Sequence, residues 1–320
     1  MDRVRKDCPA KALYTPPKKP PILNTTMTEF DIHATIQNLF VYPVKSCAGV
    51  SVQEAILTET GLEFDRAWMV VDAQGEFVTQ RELPRMCLIQ PTIKQYDMVL
   101  RAPGMLALHI ALDAVEQPCR ATVWGQDCAA YDMGDTAAQW FTDFLAQDLP
   151  AGAKPMKLRL VRFDPEHQRI SNKKWTGDID ALNQFSDGYP ILVLSQSALD
   201  DLNHKLVAQS HAGVTLQWFR PNIVLAGIEA HDEDRVAALH ITTDEGSVEL
   251  ALVKPCPRCP IPNVNPLTAV PSPEVSDMLQ TYRQDARVDG AVTFGMNAVT
   301  KTGFDQVLRV GQAVGANYVF

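Results

Sequence analysis

The sequence predicts a β-rich α+β protein built from two regions that join near residue 150. Three observations predict it. Short apolar runs broken by Gly, Pro and Asp dominate both halves, the pattern of barrels and sandwiches. Apolar residues recur at helical spacing in only a few stretches. Finally, 320 residues with 46% hydrophobic and 21% charged content suffice for two buried cores in an ordinary globular chain.

Residues 1–30 are basic and proline-rich, and read as a disordered tail. Repeated prolines exclude the amphipathic helix of an organelle transit peptide, and Met27 reads as a candidate for the true start of translation. From 33 to 131, "HATIQNLFVYPV", "RAWMVVDAQGEFVT", "RMCLIQPTIKQYD", "LALHIAL", "RATVWGQ" and "CAAYD" read as strands. "GDTAAQWFTDFLAQDL" reads as a helix with Asp135 as N-cap and Ala138, Phe141, Leu145 and Leu149 on its apolar face. "KLRLVRF" (157–163) opens the second region. "FSDGYPILVLSQSALDDLNHKL" is a buried strand turning into a helix, with Ser197 and Asp200 in capping-box positions. Strands "PNIVLAGI", "RVAALHITT" and "SVELALVK" lead to a proline-cysteine loop. A short helix, "PEVSDMLQTYR", precedes final strands around "VTFGMN" and "QVLRVGQAV".

The net charge of −9 argues against a general nucleic-acid binder, whose affinity comes from neutralising phosphates, while leaving room for one basic pocket. No apolar run reaches the ~20 residues of a membrane span, so no membrane partner is expected. The seven cysteines are odd in number and irregularly spaced, and no secretory h-region precedes them. Free thiols in a reducing, cytoplasmic compartment are therefore expected.

Residues 254–266, "KPCPRCPIPNVNP", carry the one unusual constellation. A structural zinc site needs four ligands, usually two such thiol pairs, and Cys119 and Cys128 are nine apart. A thioredoxin-like dithiol is activated at a helix N-terminus, and no helix runs through Pro260 and Pro262. Two readings stay level. The thiols are ordinary buried cysteines, or Lys254 and Arg258 serve to stabilise a thiolate or hold an anion beside a soft metal.

Taken in order, "LFVYPVKSCAGV", "GLEFDRAWMVVD", "FVTQRELPRM", "FSDGYPILVLSQSALDDLN", "FRPNIVLAG", "KPCPRC" and "FGMN" resemble the MOSC-domain proteins over about 34–312. These are the amidoxime-reducing components of mitochondria and bacterial relatives that reduce hydroxylaminopurines. The resemblance implies an N-terminal MOSC-associated β-barrel-like domain (31–151) followed by a MOSC β-barrel domain with a few helices (152–320). It implies a molybdenum–molybdopterin cofactor, with no need of pyridoxal phosphate, and Cys259 as the protein ligand to the metal, Cys256 supporting it. Lys45, Ser46, Arg66, Arg81, Gly188, Tyr189, Arg220 and Asn297 then take cofactor-binding positions. The arginines suit phosphate and pterin oxygens.

The sequence departs from the family at Asn265, which stands among the catalytic positions where relatives commonly have the Asp of "TTVDP". An amide cannot act as a carboxylate base, which puts a proton-handling role there in doubt. Some bacterial relatives add a ferredoxin-like domain; this chain has no cysteine beyond 259, so no iron–sulfur cluster is expected. The implied activity is detoxifying reduction of an N-hydroxylated small molecule to an amine or amidine, with electrons from a separate reductase or ferredoxin-type partner. A persulfide carrier and a non-catalytic cofactor-binding protein are the alternatives.

Overall fold

The computed structural model describes residues 30–115, 117–149 and 156–319; most of the expected tail, with Met27, lies outside them. Its centre is a closed barrel of seven strands. Ile191–Ser195 runs parallel to Ile223–Ala226, which pairs with Ile32–Val41. Next round the ring come Ala313–Ala316, Ala238–Thr243, Gly246–Pro257 and Ala291–Thr302. Pairing of Ala291–Thr302 with Ile191–Ser195 closes it.

Alternation explains why these segments form strands. In Ile32–Val41 the residues Ile32, Ala34 and Ile36 are buried while His33, Thr35 and Gln37 are exposed. Their inward faces join Val193, Ile223, Leu225, Ile241, Leu250, Met296 and Val314 in one core. Each fully buried aliphatic side chain contributes about 1.5–3 kcal/mol. Gly295 (φ +79°) lets the last long strand pass its neighbour closely; a Cβ there would lie 2.7 Å from the Val193 carbonyl oxygen.

The chain between the first and second barrel strands builds a flanking region. An antiparallel sheet of four strands runs in the order Trp68–Val71, Arg159–Phe163, Gln126–Asp132, Gln117–Val123. The helix Gly134–Leu145 packs Phe141, Phe144 and Leu145 into a core with Trp68, Met86 and Leu160. Among the described residues there are four α-helices, and none is long and apolar enough to cross a membrane.

Several local expectations are corrected. "KLRLVRF" does not open the second region: Arg159–Phe163 pairs on both sides with strands of the flanking sheet. Asp135 is not the cap of its helix. It lies in the first turn and pairs with Arg159, while the Asp132 carboxylate accepts the Gly134 N–H at 2.7 Å. The next helix, Gln196–Ala208, is capped by Ser195, whose hydroxyl accepts the Ala198 N–H. Asp200 pairs with Gln196 instead of reaching back.

The thiol segment begins as strand, not loop. Gly246–Pro257 continues through Pro255 and Cys256. Prolines fit because this end of the strand has Ala291–Thr302 on one side only; its pairing with Ala238–Thr243 ends at Ala251.

Behind the barrel strand that bears Ser195 lies the buried Glu233. Its Oε1 accepts the Ser195 N–H at 3.1 Å and its Oε2 has no partner among the described residues. Burial pushes its pKa up to about 7 from 4.5, helped by Asp234. The native state therefore keeps a proton that the unfolded chain releases. The stability this confers is complete below about pH 4.5 and is lost as pH rises through 7. The loss amounts to about 3 kcal/mol. Urea unfolding at pH 5 and pH 8 should show that decline in the wild type and its near absence in Glu233→Gln; equal declines would contradict it.

Candidate functional site

At one end of the barrel a cleft of about 110 Å³ is lined by Lys45, Ser46, Arg66, Arg81, Gly188, Tyr189, Arg220, Asn297 and Cys259, among others. These nine are the lining residues that the sequence marks as site positions; Asp187, Asn222, Cys256 and Arg258 line the cleft as well. They arrive from separate elements. Lys45 and Ser46 follow the first barrel strand, and Gly188 and Tyr189 lead into Ile191–Ser195. Arg220 leads into Ile223–Ala226, Cys259 follows Gly246–Pro257, and Asn297 sits on Ala291–Thr302. Arg66 and Arg81 come from the flanking region.

The floor is a cation cluster held against one ring. The guanidinium carbons of Arg66 and Arg220 stand 4.4 and 4.3 Å from the centroid of the buried Tyr42 ring. Each such contact contributes about 0.5–2 kcal/mol. Ser46, Arg66 and Arg220 all have left-handed φ, at 68°, 52° and 59°. Such strain costs on the order of 1–3 kcal/mol per residue and persists only where surroundings enforce it. Here the Arg66 N–H donates to the Tyr42 carbonyl at 2.8 Å, and Arg220 N–H to the Leu216 carbonyl at 3.2 Å.

Asp65 and Asn222 hold the cluster. Asp65 Oδ2 accepts from Arg66 Nη1 at 2.5 Å, and Oδ1 accepts the Tyr42 N–H at 2.8 Å. Asn222 Oδ1 accepts from Arg66 Nη1 and from the Leu192 N–H, and its amide donates to the Phe40 carbonyl. Tyr42, Asp65 and Asn222 were not expected as site residues. The signal was present, since each lies within a few positions of a marked cation in "VYPVK", "DRAW" and "FRPN".

Charge pairing is uneven across the cleft. Lys45 Nζ donates to Asp187 Oδ1 at 2.5 Å and to the Phe185 carbonyl at 2.9 Å. Burial holds its ammonium below the ordinary lysine value, and Asp187 recovers only part of the shift. Arg81 lies over the Trp124 ring at 4.8 Å and bonds Thr79. Arg220 Nη1 donates to the Cys47 carbonyl at 2.6 Å, yet its buried Nη2 has no partner among the described residues. Burial and the nearby Arg66 lower its pKa. Arg258 Nη2 donates to the Phe219 carbonyl, and its buried Nε has no partner among the described residues. Arg220 and Arg258 both line the cleft, so an anion bound there would meet guanidiniums whose donors are incompletely used.

The two thiols differ. Arg258 Nη1 donates to Cys256 Sγ at 3.2 Å, so that thiol is engaged by the arginine between the pair. Cys259 Sγ is half-buried in the cleft wall and bonds nothing among the described residues, which leaves it open to a ligand. A Cβ at Gly188 would meet nothing within 4 Å, so the space before it belongs to the cleft. Asn297 is the cross-strand partner of both Leu192 and Lys254.

Asn265 is the residue the structure does not bring in. It is absent from the cleft lining and lines a separate surface pocket with Trp218 and Val275. Its side-chain oxygen accepts the Leu267 N–H at 2.9 Å, and its carbonyl accepts from Thr268 and Ala269. The 3-10 turn Ile261–Asn263 carries the chain away from the cleft before Asn265 is reached. Asn265 therefore organises a turn.

Comparison with known proteins identifies the family of the two regions. Residues 33–148 match the family described as the MOSC N-terminal beta barrel domain, and 180–315 match the MOSC domain. Mitochondrial amidoxime reducing component 2 of Rattus norvegicus is 35% identical over 297 residues, covering 88% of this chain and 82% of that protein. Mitochondrial amidoxime-reducing component 1 of Homo sapiens is 36% identical over 260 residues, covering 78% and 72%. The component 1 of Danio rerio is 32% identical over 291 residues, covering 87% and 83%.

If Asp65 anchors the cluster, Asp65→Ala leaves a buried guanidinium without its counter-charge. It should lower the unfolding free energy by about 3–5 kcal/mol. The double variant Asp65→Ala/Arg66→Met should recover part of that loss in denaturant titrations. A loss below about 1 kcal/mol would place the anchor elsewhere.

Proposed function

This chain belongs to the MOSC-domain family, alongside the mitochondrial amidoxime-reducing components, and from that premise we propose that it is a molybdenum-cofactor-dependent reductase of N-hydroxylated compounds. The reaction is R–NH–OH + 2 e⁻ + 2 H⁺ → R–NH₂ + H₂O, or the corresponding step from amidoxime to amidine. Electrons come from a separate reductase or ferredoxin-type partner.

One observation carries the reading. Arg220 and Arg258 each bury a guanidinium N–H without a partner among the described residues, and both line the cleft that also presents the uncommitted Cys259 thiol. An anionic pterin phosphate matches the two donors, and a soft metal matches the thiol. When bound, the cofactor supplies the two-electron redox chemistry.

The chain's own residues divide the remaining work. Cys259 offers its sulfur to the metal. Arg220 and Arg258 hold the phosphate, and Arg66 contributes a third guanidinium whose position Asp65 and Asn222 fix. Lys45 is already matched by Asp187, so its part is to shape the wall and tie residues 185–187 to the first barrel strand. Tyr189, whose phenol burial pushes up to about 12, stays protonated at neutral pH and can donate a hydrogen bond at the edge of the cleft.

Protein purified with its cofactor should carry stoichiometric molybdenum and an oxidisable pterin, and should reduce benzamidoxime with reduced viologen. Cys259→Ala should abolish turnover with the fold intact by circular dichroism. The double variant Arg220→Met/Arg258→Met should retain less pterin. Full turnover in Cys259→Ala, or protein free of molybdenum when expressed with cofactor supply, would overturn the reading.

A further inference from the structure

Beside the cleft, the strand that carries Cys256 also presents Lys254. Its ammonium lies 5.3 Å from the centroid of Trp175 and 5.8 Å from that of Tyr189. It is the cross-strand partner of Asn297, and both Asn297 and Tyr189 line the cleft. Trp175 belongs to the short helix Lys173–Thr176, which packs on this strand and brings Lys174 against the same indole, 5.4 Å from its centroid.

The electrostatics of this corner differ from those of the cleft floor. Lys45 has Asp187, and Arg66 has Asp65. Lys254 has no carboxylate partner among the described residues, although the chain as a whole carries a net charge of −9. Aromatic faces stabilise a cation without neutralising it. The result is a positive charge framed by two half-buried rings at the margin of the cleft. Flat rings beside an unmatched ammonium suit a planar aromatic molecule with a negative edge.

We propose that Lys254, Trp175 and Tyr189 form the substrate subsite, and that the protein prefers planar aromatic N-hydroxylated compounds bearing an anionic substituent. The substrate ring lies against the two aromatic side chains and its negative group meets the Lys254 ammonium. The proposal rests on the reductase reading for the N-hydroxyl group; the charge preference itself is a binding property.

Isothermal titration of the cofactor-containing protein with 4-carboxybenzamidoxime and with 4-(aminomethyl)benzamidoxime tests it without requiring turnover. The wild type should bind the carboxylate about tenfold tighter. Lys254→Met, which keeps the apolar stem, should bring the two affinities to about parity, and Lys254→Arg should restore the preference. Trp175→Leu should weaken both ligands by a similar factor and leave their ratio. In turnover assays the same ratios should appear in KM, with kcat little changed. Equal wild-type affinities, a preference that survives Lys254→Met, or no binding of either ligand would overturn the subsite. Binding with the expected ratio but no reduction of any amidoxime would overturn the reductase reading and leave the subsite standing.

Discussion

Two guanidiniums buried against one phenol ring are the constraint on which the site depends. Moving a charged group out of water costs several kcal/mol after relaxation, and like charges compound that cost. The Tyr42 ring, the Asp65 carboxylate and the Cys47 and Arg220 carbonyls offset it only in part, because Arg220 Nη2 has no partner among the described residues. The three left-handed residues at Ser46, Arg66 and Arg220 add backbone strain in the same place. Such a cluster survives because a closed barrel and a packed flanking region surround it. Anything that fills the orphaned donors also stabilises the fold by linkage.

Barrel closure supplies the geometry. Once Ile191–Ser195 pairs with Ala291–Thr302, Leu192 and Asn297 face the same opening, and Lys254 follows as the next cross-strand neighbour. The segments that enter two neighbouring strands then deliver Gly188, Tyr189 and Arg220 to one rim. The flanking region completes the other side through Arg66, Arg81 and the Trp124 indole, which donates to Asp187 at 3.1 Å. Neither region makes the cleft by itself.

Much of this was legible in the residues. Short apolar runs broken by turn residues marked the barrel strands, and the ordered motifs marked positions on the cleft wall, because both patterns act locally or through position along the chain. What was not legible depends on distant partners. "KLRLVRF" reads as a strand from its own residues, but only pairing with Trp68–Val71 and Gln126–Asp132 decides which sheet it joins. Ser195 outcompetes Ser197 as a cap because the strand ends there and its hydroxyl meets Ala198. Asn265 matched a motif position, yet a turn directs it elsewhere. Asn222 and Asp65 escaped notice because their task is to hold an arginine, which no spacing rule records.

The thiol pair shows how three-dimensional context separates residues that spacing leaves equivalent. Arg258 engages Cys256 and leaves Cys259 open, so the arginine between the thiols distinguishes them. The central claim is that Cys259, and not Cys256, would offer its sulfur to a metal bound in the cleft. Molybdenum K-edge X-ray absorption on cofactor-loaded wild type, Cys256→Ala and Cys259→Ala tests it most directly. The account predicts a sulfur shell that loses one scatterer in Cys259→Ala and is unchanged in Cys256→Ala. An unchanged shell in Cys259→Ala, or the loss in Cys256→Ala instead, would contradict it.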